Sequence, residues 1–374
     1  MDTHWRALDR CRPVFEAAGY RPESVLGNPP VTTRSRSRFV QAFSKYIDYP
    51  RRVSRLPAGS LVHLFDHSFA FLLPHLPKGC RSIVTVHDLV PLMDPSHLTT
   101  AQVERFRRNL LNLKCADQLL ADSDFTAQKI GELLGIPDSK IQMFPMGVEL
   151  ERGINQPKAF LPPIQLLSIG GTHARKNLKV LPAIVAGLIR RGHGIKLMRV
   201  GERLPADLAG QLRLSLGDHF WECGPISDEE VKQAYQQSDI LIFPSYLEGF
   251  GLPVLEAMAQ DCLVVSSNAS SLPEVGGEAA LYFSPEDPDT AASQIERLIR
   301  EPELRELMRA RGRRRIAEFE WTKHAHRLTQ IYDAVENRGA SEAGIENPSV
   351  GTDPGSTFSR EVQSSCDPTV TESN

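Results

Sequence analysis

The chain has 374 residues, enough for two domains of ordinary size, with 41% hydrophobic and 24% charged residues and a net charge of −3. That balance describes a folded chain and excludes a strongly basic nucleic-acid binder. No run of about 18 apolar residues is present to cross a membrane, the opening MDTHWRALDRCRP lacks the apolar core of a signal peptide, and the six cysteines are scattered without a C-x-x-C pair, so a cytoplasmic protein with reduced, mostly buried thiols is expected.

Residues 1–50 carry little pattern. An amphipathic helix is expected from Trp5 to Ala18, loop through Asn28-Pro29-Pro30, and a second helix beginning near Arg38. The basic cluster Arg34, Arg36 and Arg38 reads first as a solvated face and leaves open a peripheral contact with an acidic membrane surface. From Ser60 onward, strands are expected at Leu61–Phe65, Ser82–Val86, Asp117–Ala121 and Ile141–Phe144, with helices at Thr99–Lys114 and Phe125–Leu134. That alternation is a doubly wound parallel sheet. Ligands bind outside the carboxyl ends of such strands, which puts His67, His87 and Asp88 where chemistry would occur. His63 lies on the strand itself and is expected in the core.

Residues 149–163 are polar and proline-rich and read as a linker between domains. A second series follows, with strands at Gln165–Ile169, Ile195–Val200, His219–Cys223, Ile240–Phe243, Cys262–Val265 and Ala280–Phe283. Helices are expected at Leu178–Arg191 (kinked at Pro182), Leu204–Leu216, after the Ser227 cap, after Pro253, and at Ala291–Arg300 and Glu301–Glu318. Beyond Arg338 the composition turns to Ser, Thr, Gly, Pro and Glu, the signature of a disordered tail. The expected organisation is a first α/β domain over 1–155, a second over 156–337, and a tail over 338–374.

Two stretches carry chemistry. Gly170-Gly171 form a glycine turn after a strand, and Arg175 and Lys176 follow it. Two cations at a helix start sit at the end the dipole disfavours, so an anion is expected there; the plain alternative is a surface pair. The other stretch, DILIFPSYLEGFGLPVLE from Asp239 to Glu256, reads as a buried strand, a loop holding Gly249, Phe250 and Gly251, and a helix opened by Pro253. Backbone N–H groups at Gly251, Leu252 and Val254 would make an anion site. Glu248 in the loop and Glu256 in the first helical turn would accept sugar hydroxyls on either side; the plain alternative is that Glu256 favours the helix N-terminus. Asp287-Pro288-Asp289 reads as a helix cap, and no zinc-type spacing occurs, so no metal site is expected.

The wording FPSYLEGFGLPVLEAMA resembles the E-x7-E motif of the retaining group-1 glycosyltransferases (family 4), and the likeness extends over roughly residues 60–335. Gly170 to Asn177 resembles the family segment whose Lys contacts the donor diphosphate, which falls on Lys176 here, with Arg175 beside it. Glu248 resembles the Glu that contacts the sugar and Glu256 the one that holds the ribose. The run Val86-His87-Asp88-Leu89 resembles the segment whose His lies near the anomeric centre, and Pro145-Met146-Gly147-Val148 resembles the end of the first domain. Pro273 to Gly277 and Trp321 match late features read as structural. The resemblance implies a GT-B fold, with two Rossmann-like domains facing across a cleft. It implies metal-independent, retaining transfer from a nucleotide-diphosphate sugar (GDP-mannose first) to a glycan or lipid-linked acceptor, at the inner face of the membrane if membrane-bound at all. The apolar strand that opens family members is not found before residue 60, where Ser24-Val25-Leu26-Gly27 is a poor substitute. That departure supports an alternative, an inactive relative that binds nucleotide or a partner protein; an epimerase would need other carboxylates or a full dinucleotide fingerprint.

Overall fold

The computed structural model describes residues 11–20, 44–148 and 160–343. The basic cluster at Arg34–Arg38, Ser24–Gly27, most of the linker and the tail beyond Ala343 lie outside the described residues. The first sheet is four-stranded and wholly parallel, in the order β1 (Leu61–Leu64), β2 (Arg81–Val86), β3 (Gln118–Ala121), β4 (Ile141–Met143). Helices α1 (Arg12–Ala17), α2 (Thr100–Leu111) and α3 (Asp124–Leu134) belong to this half. Thr99 and Gln102 form a reciprocal capping box that starts α2. Ser123 caps α3, and Gly135 ends it in the left-handed conformation.

The second sheet has six parallel strands in the order β10-β9-β8-β5-β6-β7, where β5 is Ile164–Gly170, β6 Ile195–Gly201, β7 Phe220–Cys223, β8 Ile240–Phe243, β9 Leu263–Ser267 and β10 Leu281–Phe283. Its strands are apolar on both faces, as a parallel sheet covered by helices requires. The covering helices are α4 (Leu181–Arg190), α5 (Ala206–Leu216), α6 (Asp228–Gln237), α7 (Leu252–Ala259), α8 (Pro288–Arg300) and α9 (Pro302–Ile316). Pro182 occupies the first turn of α4 and does not kink it, because residues 178–180 form a separate 3-10 turn. Asp287 caps α8, its carboxylate accepting from Thr290 N at 2.9 Å.

A long helix absent from the sequence reading, α10 (Trp321–Ala343), leaves the second half and packs on the first sheet. Ala325, Leu328, Ile331 and Val335 join Ile83, Leu120 and Phe144 in one buried cluster with Phe15 of α1. Arg327 donates to Met143 O at 2.9 Å, and Tyr20 donates to Asp333 at 2.7 Å. Residues inside 156–337 thus complete the core of the first sheet. The helix also runs to Ala343, past the composition change at Arg338. Among the described cysteines, all unbridged, Cys11 and Cys262 are buried while Cys115 is exposed, against the expectation of burial, because it closes a surface turn after α2.

Leu328 is 1% exposed beneath the first sheet. Leu328→Ala should cost about 2–5 kcal/mol, read as a lower urea midpoint with an unchanged slope. An unchanged midpoint would mean that α10 does not support the sheet.

Candidate active site

Strand order in the second sheet reverses between β5 and β8, and a crevice opens at such a reversal outside the carboxyl ends of the two strands. β5 runs into Gly170-Gly171, and β8 into the loop that carries Glu248. Both chemistry-bearing stretches therefore meet at one point. Glu248 Oε2 accepts from Arg175 Nη1 at 2.8 Å and Glu248 Oε1 from Lys176 Nζ at 2.7 Å. All three side chains are largely buried, at 8%, 19% and 13% exposure. Burial pushes the Lys176 ammonium below its ordinary value, with Glu248 opposing that shift and Arg175 adding to it. Asn177, left-handed at φ 52° and buried, ties the turn down by donating to Pro244 O and Pro285 O. Asn tolerates that conformation, which explains an Asn after the two cations.

The loop after Glu248 is fixed by its neighbours. Ser123 Oγ and Thr126 Oγ1 of the first half donate to Gly249 O at 2.6 and 3.0 Å. Ser270 Oγ accepts from Glu248 N at 2.9 Å, and Ser271 Oγ donates to Phe250 O at 2.8 Å. A Cβ on Gly249 would lie 2.2 Å from His87 O and 2.5 Å from Asp88 Cβ, so only glycine fits where the halves touch. The Phe250 ring is buried and meets Phe319 edge-on at 5.9 Å, so its side chain serves the core. Val254 N donates back to Gly251 O at 3.0 Å, so of the three expected amides this one is not free for an anion. Leu252 opens α7 after Gly251, which has φ +110°.

Glu256 is the fifth residue of α7, just past the first turn in which it was expected. Its Oε2 accepts from Tyr235 Oη at 2.8 Å. Burial holds its carboxyl above the usual range; the Tyr235 bond pulls it down and Asp228 pushes it up. Tyr235 was missed in the sequence, although an aromatic on the buried stripe of a capped helix beside a crevice is a detectable signal.

On the facing half, His87 Nδ1 lies 2.8 Å from Asp122 Oδ2 and its Nε2 2.7 Å from Phe65 O. With Asp122 ionised both partners are acceptors and the ring donates from both nitrogens as a cation; burial pushes the Asp122 carboxyl up, and the charge on His87 opposes that shift. Burial works against that charge, but Asp122, Asp66 and the Phe65 carbonyl outweigh it and raise the pKa to about 9. His67 is buried, edge-on to His87 at 6.3 Å, and its Nδ1 has no hydrogen-bond partner among the described residues. Asp88 accepts from Val90 N at 2.9 Å. His63 is half-buried, short of the core position expected, and bonds Tyr332 of α10 and Thr85; desolvation, with His87 adding to it, pushes its pKa down to about 3. Among the described residues no cluster of three or more His, Cys, Asp or Glu is placed to hold a metal.

Residues 8–152 match the Glycosyltransferase Family 4 model, and residues 152–315 match the Glycosyl transferases group 1 model. The chain is similar to O-antigen chain mannosyltransferase B of Escherichia coli, 29% identical over 68% of this chain and 70% of that one. It is 26% identical to a serotype-specific mannosyltransferase of Escherichia coli over 75% of this chain, but spans only 38% of that longer relative. The fold matches sucrose-phosphate synthase from Thermosynechococcus elongatus with a TM-score of 0.66 at 19% identity, over 88% of this chain and 93% of the other.

Because the folded pKa of His87 lies above its ordinary 6.5, its pairing stabilises the fold fully below pH 6.5, and that contribution is lost as pH rises through about 9. His63 acts oppositely, its contribution present above pH 6.5 and lost as pH falls toward 3. Asp122→Asn should return the His87 value toward 6.5 in an NMR imidazole titration. A value that stays near 9 would place the partner of the charge elsewhere.

Proposed function

The chain belongs to the group 1 glycosyltransferases, enzymes of the GT-B fold, and from that premise we propose that it transfers a mannosyl group from GDP-mannose, with retention, to a glycan or lipid-linked acceptor. The observation that carries the donor site is the convergence of Arg175 and Lys176 on Glu248 at the strand reversal. In this reading the diphosphate draws both cations onto its oxygens, and Glu248 turns to a sugar hydroxyl. Glu256 accepts from the ribose hydroxyls, with Tyr235 fixing its other oxygen. The turn at Gly170-Gly171 and the loop from Gly249 to Leu252 bring backbone close to the phosphates.

The acceptor enters from the first half, over His87. Its hydroxyl oxygen attacks the anomeric carbon from the face the leaving group departs. The bond from that carbon to the phosphate oxygen breaks, its electron pair stays with the diphosphate, and the hydroxyl proton passes to the same phosphate oxygen. Arg175 and Lys176 take up the charge, the task a metal performs elsewhere, so no resident cofactor is required. His87 has spent both N–H groups and acts here as a fixed, paired cation in the floor and not as a base.

Mannosyl transfer is the chemistry named for both bacterial relatives. Among the described residues no helix is long and apolar enough to cross a membrane. A lipid-linked acceptor would be met by peripheral contact at the inner face, in a cytoplasmic enzyme; co-sedimentation with anionic vesicles tests that part separately.

A thermal-shift screen against UDP, GDP, ADP and their sugars tests the donor. GDP at 100 times its Kd should stabilise by about 2.7 kcal/mol, and Glu256→Ala should abolish the shift. A shift with UDP or ADP alone would overturn the guanine assignment. Lys176→Ala should lower kcat/KM by roughly 10²–10³, and an unchanged rate would remove Lys176 from the mechanism. An α-linked product from the α-linked donor, read by NMR, supports retention; a β-linked one overturns it.

A further inference from the structure

Among the described residues near the crevice, Arg199 is a charged side chain placed at evident cost. It sits on β6, one strand from the reversal, and is 1% exposed. Leu197, two residues earlier on the same face, belongs to the hydrophobic core. An apolar residue would suit position 199 on packing grounds alone.

The guanidinium has no carboxylate in contact among the described residues. The two acids that act on it are engaged elsewhere. Glu222 accepts from Leu204 N at 2.8 Å and from Arg213 at 2.9 Å. Glu202 accepts from Thr172 N at 2.8 Å and Thr172 Oγ1 at 2.9 Å. Arg199 bonds backbone carbonyls instead: Nη1 donates to Val200 O at 2.8 Å, and Nη2 donates to Gly170 O and, at 3.1 Å, to Gly171 O. Its Nε is buried without a partner. Burial of this kind disfavours the charge, and pushes the pKa down to about 10.

The carbonyls it holds belong to the glycine turn that precedes Arg175 and Lys176. In a trans peptide the N–H points opposite to the C=O. With Gly170 O held by Arg199, the Gly171 N–H faces away from the guanidinium. Lys176 lies close enough for the two positive charges to act on each other, and its Nζ sits 4.0 Å from where a Cβ on Gly170 would stand. A third positive charge therefore lies under the turn, sealed from water and without a contact anion of its own.

We propose that Arg199 is a positioning residue and the third cation of the diphosphate site: it holds the carbonyls of Gly170 and Gly171 inward and lends its charge to the phosphates on the other side of the turn. This rests on the donor site proposed above. It acts through the backbone and the field and does not touch the donor. Its effect should scale with phosphate charge, which a merely structural residue would not show.

The test is calorimetric binding of GDP and GMP to the full chain, to Arg199→Gln and to Arg199→Lys. Arg199→Gln should lose about a hundredfold in GDP affinity and much less in GMP affinity, the size expected for one unit charge about 6 Å away at an effective dielectric constant near 20. Arg199→Lys keeps the charge, so it should restore most of the native GDP-to-GMP ratio even though it lacks the fork that reaches both carbonyls. Should Arg199→Gln not fold, Arg199→Met removes the same charge and takes its place. Equal losses for GDP and GMP in the neutral variant, or a ratio as compressed in Arg199→Lys as in the neutral variant, would overturn the proposal and leave the donor site intact. Failure of the native chain to bind GDP would overturn both.

Discussion

Nothing larger than hydrogen can stand on the α-carbon of Gly249, because the carbonyl of His87 already occupies that space. The two halves of the molecule meet through this missing side chain. Ser123 and Thr126 then reach the Gly249 carbonyl, and the residue before it, Glu248, is left facing Arg175 and Lys176. One close approach thus sets the first half, the loop and the cation pair relative to one another. The consequence for chemistry is that the groups proposed for the donor cannot shift independently of the floor on which the acceptor would rest.

The second half places its charges by a layered logic. At the reversal between β5 and β8 the backbone supplies a crevice without any special sequence. Short polar side chains pin the loop: Ser270 and Ser271 hold it from one side and Asn177 holds the cation turn from the other. The charged residues are then restrained by partners rather than by solvent, Glu248 by two cations and Glu256 by Tyr235. Restraint of this kind keeps the charged groups at the crevice, and in the proposed reaction the two cations exchange the Glu248 carboxylate for the diphosphate before charge develops on the leaving group.

Much of this was legible in the sequence, for physical reasons that differ by element. The strands of both sheets were readable because parallel strands buried on two faces are short continuous apolar runs ended by Gly, Pro or Asp, as in Ile240–Phe243. The candidate residues stood out because cations at Arg175 and Lys176 and carboxylates at Glu248 and Glu256 flank glycine turns. What stayed hidden depends on contacts between distant segments. Arg199 looks like an ordinary alternation within a strand, and only the adjacent end of β5 shows what it holds. Tyr235 and Glu256 are far apart in the chain and meet only once α6 and α7 pack. Pro182 reads as a kink in the sequence because nothing local marks the break between a 3-10 turn and the helix that follows. Helix α10 did carry a signal, apolar residues at Ala325, Leu328, Ile331 and Val335 on one stripe, but polar residues between them and the nearby change of composition obscured it.

The path of α10 bears on the order in which the molecule can be assembled. A ribosome delivers residues 61–143, and with them every strand of the first sheet, well before it delivers Trp321. Until then Ile83, Leu120 and Phe144 have, among the described residues, only α1, the turn after it and neighbours such as Leu61 and Phe65 on that face. The second half has its own strands and helices complete by Ile316 and can close first. Synthesis from the N-terminal side is therefore not the order of completion: the first sheet is covered only when α10 arrives, after the second sheet is complete, and its apolar face must be kept from other chains in the interval.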